Sequence, residues 1–311
     1  MKLTTAARGV YVIAATPFNP DGSLDLRGAQ SMLDFYLERG AHGLTLLGMM
    51  GEQQKLSPEE SLRFVETCAR HVDGRIPIIV GAATPWIDNL KAFAQSVMDA
   101  GASALMFAPM TGLRSDDQIT GFVERVCNAL HDVPLVLQDY PQTTDVILSP
   151  ALINRLIDRF TGIVMFKHED QPGLAKLTTI RKHQAAGGRR VSILVGNGAI
   201  HYVQELARGA DGAMTGFSYP EMMVDVFRLW EAGKHDEAED LYDIYLPLMR
   251  HELQPGQGLA IRKYILAKRG AFQSDHVRMP GPSLTADDSA EIDHLIRRLE
   301  YRLTTTNLRK L

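Results

Sequence analysis

Short apolar runs, each followed by an amphipathic stretch, recur along the first two thirds of the chain. Eight runs can be counted: GVYVIAATPF from Gly9, GLTLLG from Gly43, IPIIVGA from Ile76, ALMFAP from Ala104, VPLVLQDYP from Val133, GIVMFKHE from Gly162, SILVGNG from Ser192 and GAMTGF from Gly212. Their length and β-branched, aliphatic composition are typical of buried strands. The stretches between them, such as SPEESLRFVETCARHV with its cap serine, early proline and first-turn acids, have helical patterns. Strand and helix signals therefore alternate.

This alternation predicts right-handed βαβ units and a parallel sheet. Eight such units within roughly 200 residues favour a sheet that closes into a barrel. We therefore predict an α/β fold of the (β/α)8 TIM-barrel class for residues 1–222. A doubly wound open sheet is the alternative. After Pro220 the strand pattern stops and three helical stretches follow. They predict a C-terminal helical extension, residues 223–311, that packs on the barrel or on a neighbouring subunit.

Composition argues against several classes of function. With 311 residues and 45% hydrophobic content, the chain suits one large packed unit, while a net charge of −4 leaves no basic surplus for nucleic acid. The two cysteines, Cys68 and Cys127, lie in helix-like stretches and indicate neither a disulfide framework nor a thiolate metal site. No apolar run approaches the roughly 18 residues that cross a bilayer. We therefore expect a cytoplasmic protein without nucleic-acid or membrane partners.

The sixth apolar run ends in a charge. In IVMFKHED, Lys167 follows four consecutive apolar residues. Side chains alternate along a strand, so Lys167 and Glu169 share one face and Phe166 and His168 share the other. Barrel active sites lie at the C-terminal ends of the strands, and desolvation there favours a neutral amine, which attacks carbonyl groups. The alternative is that Lys167 points outward to solvent or forms a structural ion pair.

Two other strand ends carry polar groups. On the fifth strand Gln138 and Tyr140 share a face, and Tyr140 could move a proton or simply pack with its hydroxyl hydrated. After the second strand, the turn GMMGEQQ offers backbone N–H groups that could hold a carboxylate, with Glu52 and Gln53 beside it. An ordinary loop that caps the next helix is the alternative there. The tight turn GNGA from Gly196 is weak evidence for phosphate binding.

Several patterns of catalytic chemistry are missing from the sequence. None of the ten histidines stands in an H-E-x-x-H motif, and His168 and Glu169 point to opposite faces, which is poor geometry for one metal ion. No G-x-S-x-G nucleophile elbow occurs. We therefore predict no metal and no other cofactor.

In order and spacing, these motifs resemble those of the dihydrodipicolinate synthase and N-acetylneuraminate lyase family. The resemblance covers nearly the whole chain and rests on ATPF with DGSLD, GMMGE, DGRIPIIVGA, GIVMFKHE, GNGA and GADGAMTG. It implies a (β/α)8 barrel with a C-terminal helical extension, assembled as a homotetramer or homodimer. It also implies that Lys167 forms a Schiff base with pyruvate or another 2-oxo acid. The substrate site implied is Thr16, Met49, Met50, Gly51, Glu52, Gln53, Gln138, Gly196 and Met214.

The sequence departs from the synthases of this family at their proton relay and second-substrate site. The family's threonine pair corresponds to Met49-Met50 in this chain, and its strand-five tyrosine corresponds to Gln138. Its carboxylate-binding arginine corresponds to Thr143, and its tyrosine from a neighbouring subunit falls in the region of Met110 and Thr111. These departures disfavour the synthase reaction.

Other features are more similar to the branch containing 2-keto-3-deoxyarabonate dehydratase. They are QDYP, the spacing Lys167-x-Glu169, the pair Glu52-Gln53 and RHELQPGQG. In that branch the Schiff base acidifies the C3 proton and the C4 hydroxyl is then lost. Glu169, roughly 6 to 7 Å along the strand from Lys167, is the acid/base candidate, and Tyr140 is the second.

Three hypotheses follow for the function. The leading one is a cofactor-free Schiff-base lyase that dehydrates or cleaves a 2-keto-3-deoxy sugar acid. The second is a pyruvate-dependent aldolase or synthase, such as 4-hydroxy-tetrahydrodipicolinate synthase. The third is a barrel that binds a 2-oxo acid without converting it, because the family's threonine and tyrosine relay is absent.

Overall fold

Eight parallel strands close into a barrel in the computed structural model, which describes residues 1–82 and 87–306. Each strand pairs with the next, and the first pairs with the last. The strands are β1 (Gly9–Ile13), β2 (Gly43–Leu46), β3 (Ile78–Gly81), β4 (Ala104–Phe107), β5 (Leu135–Asp139), β6 (Ile163–His168), β7 (Ser192–Val195) and β8 (Gly212–Thr215). The predicted TIM barrel is confirmed, and the open doubly wound sheet is excluded.

The strands are buried on both faces. In β4 and β7 all four residues are buried, since one face fills the barrel interior and the other packs under helices. This is why the strands appear in the sequence as continuous apolar runs rather than as an alternating pattern. Polar residues at the C-terminal ends of β5 and β6 interrupt the rule, and those ends hold Gln138 and Lys167 in register.

Nine helices follow the strands in the described ranges of the barrel. They are α1 (Leu26–Glu38), α2 (Pro58–Val72), α3 (Ile87–Asp99), α4 (Asp116–Ala129), α5 (Pro141–Thr144), α6 (Pro150–Arg159), α7 (Leu174–Ala185), α8 (Tyr202–Ala207) and α9 (Pro220–Glu231). Helix α2 starts at the predicted signal, with a capping box between Ser57 and Glu60 and a proline in its first turn. Helix α9 was not predicted; it packs on β1, as a barrel requires after its eighth strand.

Three further helices form the C-terminal part of the described chain, as predicted: α10 (His235–Glu252), α11 (Gly258–Lys268) and α12 (Ala286–Thr305). Helix α10 packs on α9 and carries α11 and α12 on its other sides. The predicted boundary at residue 222 lies inside α9, and the division into two domains stays a prediction. No helix among residues 1–82 and 87–306 is both long and apolar enough to cross a membrane.

Candidate active site

Lys167 lies near the end of β6 and is almost completely buried, with 2% of its surface exposed. Its amine is 2.9 Å from Oε2 of Glu169, which follows the strand on the same face. The amide of Gln138, from the neighbouring β5, donates to the same carboxylate oxygen at 2.6 Å. Three predicted site residues therefore meet at one point, and the outward orientation of Lys167 to solvent does not occur.

The backbone after β7 holds Glu169 in place. The N–H of Gly196 donates to the carbonyl of His168 at 2.9 Å, and a side chain at Gly196 would clash with the Glu169 side chain. The Asn197 amide donates to the Glu169 carbonyl. Asn197 and Ala199 have φ angles of 50° and 59°, a left-handed conformation that is unfavourable for residues other than glycine and often found at functional sites.

The outer face of the same strands is fixed by charges. Asp139 Oδ2 accepts from the Lys176 amine of α7 at 2.9 Å, and Lys176 also lies 2.6 Å from Asp170 Oδ2. His168 Nε2 lies 3.0 Å from the Gly173 carbonyl, within hydrogen-bond distance. His168 therefore lies on the face opposite Lys167, as the strand alternation predicted. These contacts fasten the ends of β5 and β6 to α7.

A cavity of about 510 Å³ opens above this end of the barrel. Gln138 and Tyr140 lie on its wall, together with Met49, Glu52 and Gln53 from the loop after β2. Its volume is within the range of sites for small organic ligands. Gln138 connects this wall to the buried pair, because its amide donates to the Glu169 carboxylate that contacts Lys167.

Tyr140 lines the cavity and is close enough to Glu169 to feel its charge. Burial, and secondly the Glu169 carboxylate, raise the pKa of its phenol above the ordinary value, while Thr143 and Arg262 act in the opposite direction. The hydroxyl is therefore protonated at neutral pH and can donate a proton or a hydrogen bond.

The GMMG turn after β2 forms a single 3₁₀ turn, Met49–Gly51. The Thr16 hydroxyl, at the end of β1, donates to the Gly51 carbonyl at 2.7 Å and so anchors the turn. Met49 is exposed on the cavity wall, whereas Met50 is buried and its sulfur fills the space above Gly216. The first N–H groups of such a turn have no partner within it, so they remain available to an anion.

Glu52 does not approach Lys167. Its Oε1 accepts from the Lys263 amine of α11 at 2.6 Å, and its Oε2 accepts from the Lys55 amine at 2.7 Å and the Arg278 N–H at 3.1 Å. The carboxylate thus ties the loop after β2 to the C-terminal segment. Met214, also implied by the resemblance, is buried in β8 in register with Tyr11 and does not line the cavity.

Two residues of this region were not predicted. Asn197 is the second residue of GNGA, where only Gly196 was selected, although an asparagine between glycines is a recognisable turn signal. Lys263 stands in AIRKYIL directly after Arg262, so the uninterrupted apolar run that singled out Lys167 is missing there. Within residues 1–82 and 87–306, no three His, Cys, Asp or Glu side chains are grouped as a metal ion requires.

The structure is a (β/α)8 barrel in which a buried lysine pairs with a carboxylate at the end of the sixth strand. Comparison with known sequences shows which family of proteins has these features. The model of the dihydrodipicolinate synthetase family matches residues 6–299, and the chain belongs to this family. The L-2-keto-3-deoxyarabonate dehydratase of Azospirillum brasilense is 30% identical over 302 residues, 96% of each chain.

Two further relatives broaden this picture. The crystal structure of a dihydrodipicolinate synthase from Rhodopseudomonas palustris superposes with a TM-score of 0.94 at 44% identity, covering 96% of this chain and 99% of that one. A 4-hydroxy-tetrahydrodipicolinate synthase of Methanococcus maripaludis is 28% identical over 246 residues, covering 78% of this chain and 82% of its own. The chain is thus a Schiff-base lyase, and both the suspected family and the expected class of enzyme are confirmed.

Proposed function

We propose that this lyase dehydrates a 2-keto-3-deoxy sugar acid through a Schiff base on Lys167. The observation that carries the proposal is the pairing of the Lys167 amine with the Glu169 carboxylate at 2.9 Å. It combines a nucleophile with an acid/base group beside a cavity lined by Gln138 and Tyr140. Similarity to the dehydratase along 96% of the chain supports this substrate class.

The first step needs a neutral amine. Glu169 is placed to accept a proton from the Lys167 ammonium, and the free amine then attacks the C2 carbonyl of the substrate. The carbinolamine loses its hydroxyl as water, which leaves a protonated imine between C2 and Lys167. In this proposal the backbone of the Met49–Gly51 turn binds the substrate carboxylate, supported by Thr16, with Gln53 on the cavity wall completing the binding site and Gly196 leaving room for the Glu169 side chain.

The second step is the elimination. The positive imine withdraws electrons from C3, so Glu169 can remove a C3 proton and form an enamine. The enamine electrons expel the C4 hydroxyl, which leaves as water after it receives a proton from Tyr140 or from Glu169. Hydrolysis of the imine then releases the product and restores the Lys167 amine. One molecule of water is lost and the carbon chain stays intact.

Borohydride trapping tests this proposal directly. The protein is incubated with pyruvate and, separately, with 2-keto-3-deoxy sugar acids, reduced, and digested for peptide mass spectrometry. The expected result is a reduced adduct on Lys167 and none in a Lys167→Met variant. No adduct from the folded protein with any 2-oxo acid would contradict the mechanism and favour a barrel that binds without catalysis.

Product analysis separates dehydration from the rival aldolase or synthase reaction, which the similarity to the 44% identical and the 28% identical synthases supports. Dehydration yields a single product with all the substrate's carbon atoms. Retro-aldol cleavage releases pyruvate and an aldehyde, and a synthase consumes pyruvate only when an aldehyde is added. Release of pyruvate from the sugar acid would replace the dehydratase proposal by the aldolase one.

We further propose that the enzyme acts in the cytoplasm as a homotetramer or homodimer and uses neither a metal nor another cofactor. The presence of two free cysteines fits a reducing compartment, and the imine itself supplies the electron withdrawal that the elimination needs. Sedimentation velocity gives the assembly size, and a monomer would contradict that part.

A further inference from the structure

Formal charges are scarce on the wall of the cavity. Among the lining residues in the described ranges, only Glu52 and Lys55 carry one. The Glu52 side chain is 1% exposed, whereas that of Lys55 is 19% exposed. Lys55 therefore supplies the charge that a molecule in the cavity encounters.

The Lys55 ammonium is held in a fixed position. It donates to Glu52 Oε2 at 2.7 Å and to the Arg278 carbonyl at 2.6 Å. An ammonium has three donors, so a third remains for a ligand. Because two hydrogen bonds already order the side chain, a ligand loses little free energy in immobilising it.

Glu52 does not cancel the charge of Lys55, because another lysine already balances it. Its Oε1 accepts from Lys263 at 2.6 Å, and Lys263 is completely buried. Two lysines thus share one carboxylate, which leaves one positive charge in surplus.

The other charged groups nearby do not neutralise this surplus positive charge. Arg278 forms a bidentate pair with Glu60, both contacts at 2.7 Å, so these two groups balance each other. Asp275 is exposed, and solvent screens its effect on the buried groups. The region beside the cavity therefore has a net positive charge in a partly desolvated setting, where charge interactions are stronger than in water.

We propose that Lys55 is a specificity-determining residue that binds a carboxylate of the 2-oxo acid. This rests on the proposed function, since the bound molecule is the one that reacts with Lys167. The carboxylate is either the one next to the oxo group or a second one at the far end of the chain. A neutral amide in its place would gain nothing from the surplus charge.

Matched acid and amide pairs test this inference. Rates of reduced adduct formation on Lys167 are compared for pyruvate and pyruvamide, and for 2-oxoglutarate and its 5-(N,N-dimethylamide), which cannot close onto the oxo group, at concentrations below saturation. Lys55→Met is expected to lower the preference for the acid about tenfold to a hundredfold, the loss of one charged hydrogen bond. If the preference for the acid falls in the pyruvate–pyruvamide pair, Lys55 binds the carboxylate beside the oxo group. If the preference for the acid falls only in the 2-oxoglutarate pair, Lys55 binds a carboxylate at the far end of the chain.

A charge series distinguishes recognition from a merely structural role. Lys55→Arg keeps the charge and should retain most of the preference. Lys263→Met removes the surplus and should lower the preference, whereas the double variant Lys263→Met with Glu52→Gln restores the surplus and should recover it. Lys268→Met, an exposed lysine of the same helix, is the matched control.

Adduct formation with the amides shows in each variant that the fold is intact. Unchanged preference in both pairs for Lys55→Met, while the unaltered protein forms adducts, would overturn this inference alone. A folded double variant that fails to recover the preference would also overturn it. Absence of adducts in the unaltered protein would instead overturn the proposed function, and this inference with it.

Discussion

Two buried lysines, one in the barrel and one in the C-terminal helices, each form an ion pair with a glutamate, but the two pairs have different roles. Lys167 is 2% exposed and Lys263 is 0% exposed. Each amine lies near a glutamate oxygen, Glu169 at 2.9 Å and Glu52 at 2.6 Å. By burial and distance alone the two pairs are indistinguishable.

Their remaining neighbours differ. Lys263 also donates to the His276 carbonyl at 2.7 Å and lies 4.5 Å from the centroid of the Phe18 ring, so its charge is satisfied on several sides. Among the residues described, Lys167 has an ion pair with Glu169 alone. An ammonium whose protons are all hydrogen-bonded is stabilised in its charged form. An ammonium with a carboxylate as its ion-pair partner can pass a proton to that carboxylate and then offer its lone pair to a substrate. The number of partners, more than burial, separates a structural lysine from a reactive one.

The largest expected effect is that of Lys167→Met. Without the amine no imine forms, so turnover of 2-keto-3-deoxy sugar acids and borohydride trapping should both fall below detection. The free energy of unfolding should also fall, by about 3 to 5 kcal/mol, because the buried Glu169 carboxylate loses its cationic partner. Urea unfolding measures this alongside activity. Residual turnover above that of a heat-denatured control would show that another group forms the intermediate.

The next effect is that of Glu169→Gln, which keeps the shape and removes the acid/base function. Turnover is expected to fall about 10²- to 10⁴-fold, the usual contribution of a positioned proton-transfer group. Trapping of pyruvate on Lys167 should persist under prolonged incubation. The measurement is steady-state turnover beside trapped adduct, and equal losses in both would contradict a role for Glu169 in the elimination step.

The structural pair should respond in stability, while Lys167 keeps its ability to form the imine. Lys263→Met leaves Glu52 with Lys55 as a cationic partner, and the free energy of unfolding is expected to fall by about 1.5 to 3 kcal/mol, the contribution of a charged hydrogen bond. Replacing Glu52 by Gln in the same chain removes the buried carboxylate charge and should recover most of the loss. Urea denaturation of both variants and of Lys268→Met tests this. A single variant as stable as the control would show that the pair contributes nothing.

Sequence reasoning reached one of these pairs and not the other. The alternation of side chains along β6 placed Lys167 and Glu169 on one face, because their interaction lies within three positions of one strand. Glu52 and Lys263 are 211 positions apart, and only the folded chain brings them together. The local pattern GMMGEQQ therefore suggested a substrate group where the structure shows an anchor.

The same limit applies to the elements. The eight strands were predicted because each lies in a short, mainly apolar run, a signal that depends only on local sequence. Helix α9 was missed because the strand pattern ends before it, although an eighth strand needs a helix to cover it. The barrel topology, rather than the local sequence pattern, accounts for this helix.

A third buried group, Glu205, extends the comparison, since it has no ion pair with any residue in the described ranges. Burial alone raises the pKa of the Glu205 carboxyl on α8 to about 8, and its Oε2 has no hydrogen-bond partner among the described residues. In the unfolded chain this group loses its proton near its ordinary value of 4.5. Between these values the folded state binds more protons than the unfolded state, so stability falls as pH rises from about 4.5 to about 8.

Glu205→Gln removes this dependence. The variant should match the unaltered protein at pH 4 and be more stable at pH 8, by about 4 kcal/mol. Urea midpoints across this range measure the difference, with the exposed Glu239→Gln as the control. Glu252, whose pKa burial raises to about 7 although Arg262 lies 3.2 Å away, should leave a residual slope of the same sign below pH 7 in the variant. Equal stability gains at both ends of the range would mean that the introduced amide packs better for reasons unrelated to charge, and would refute the titration of a buried carboxyl.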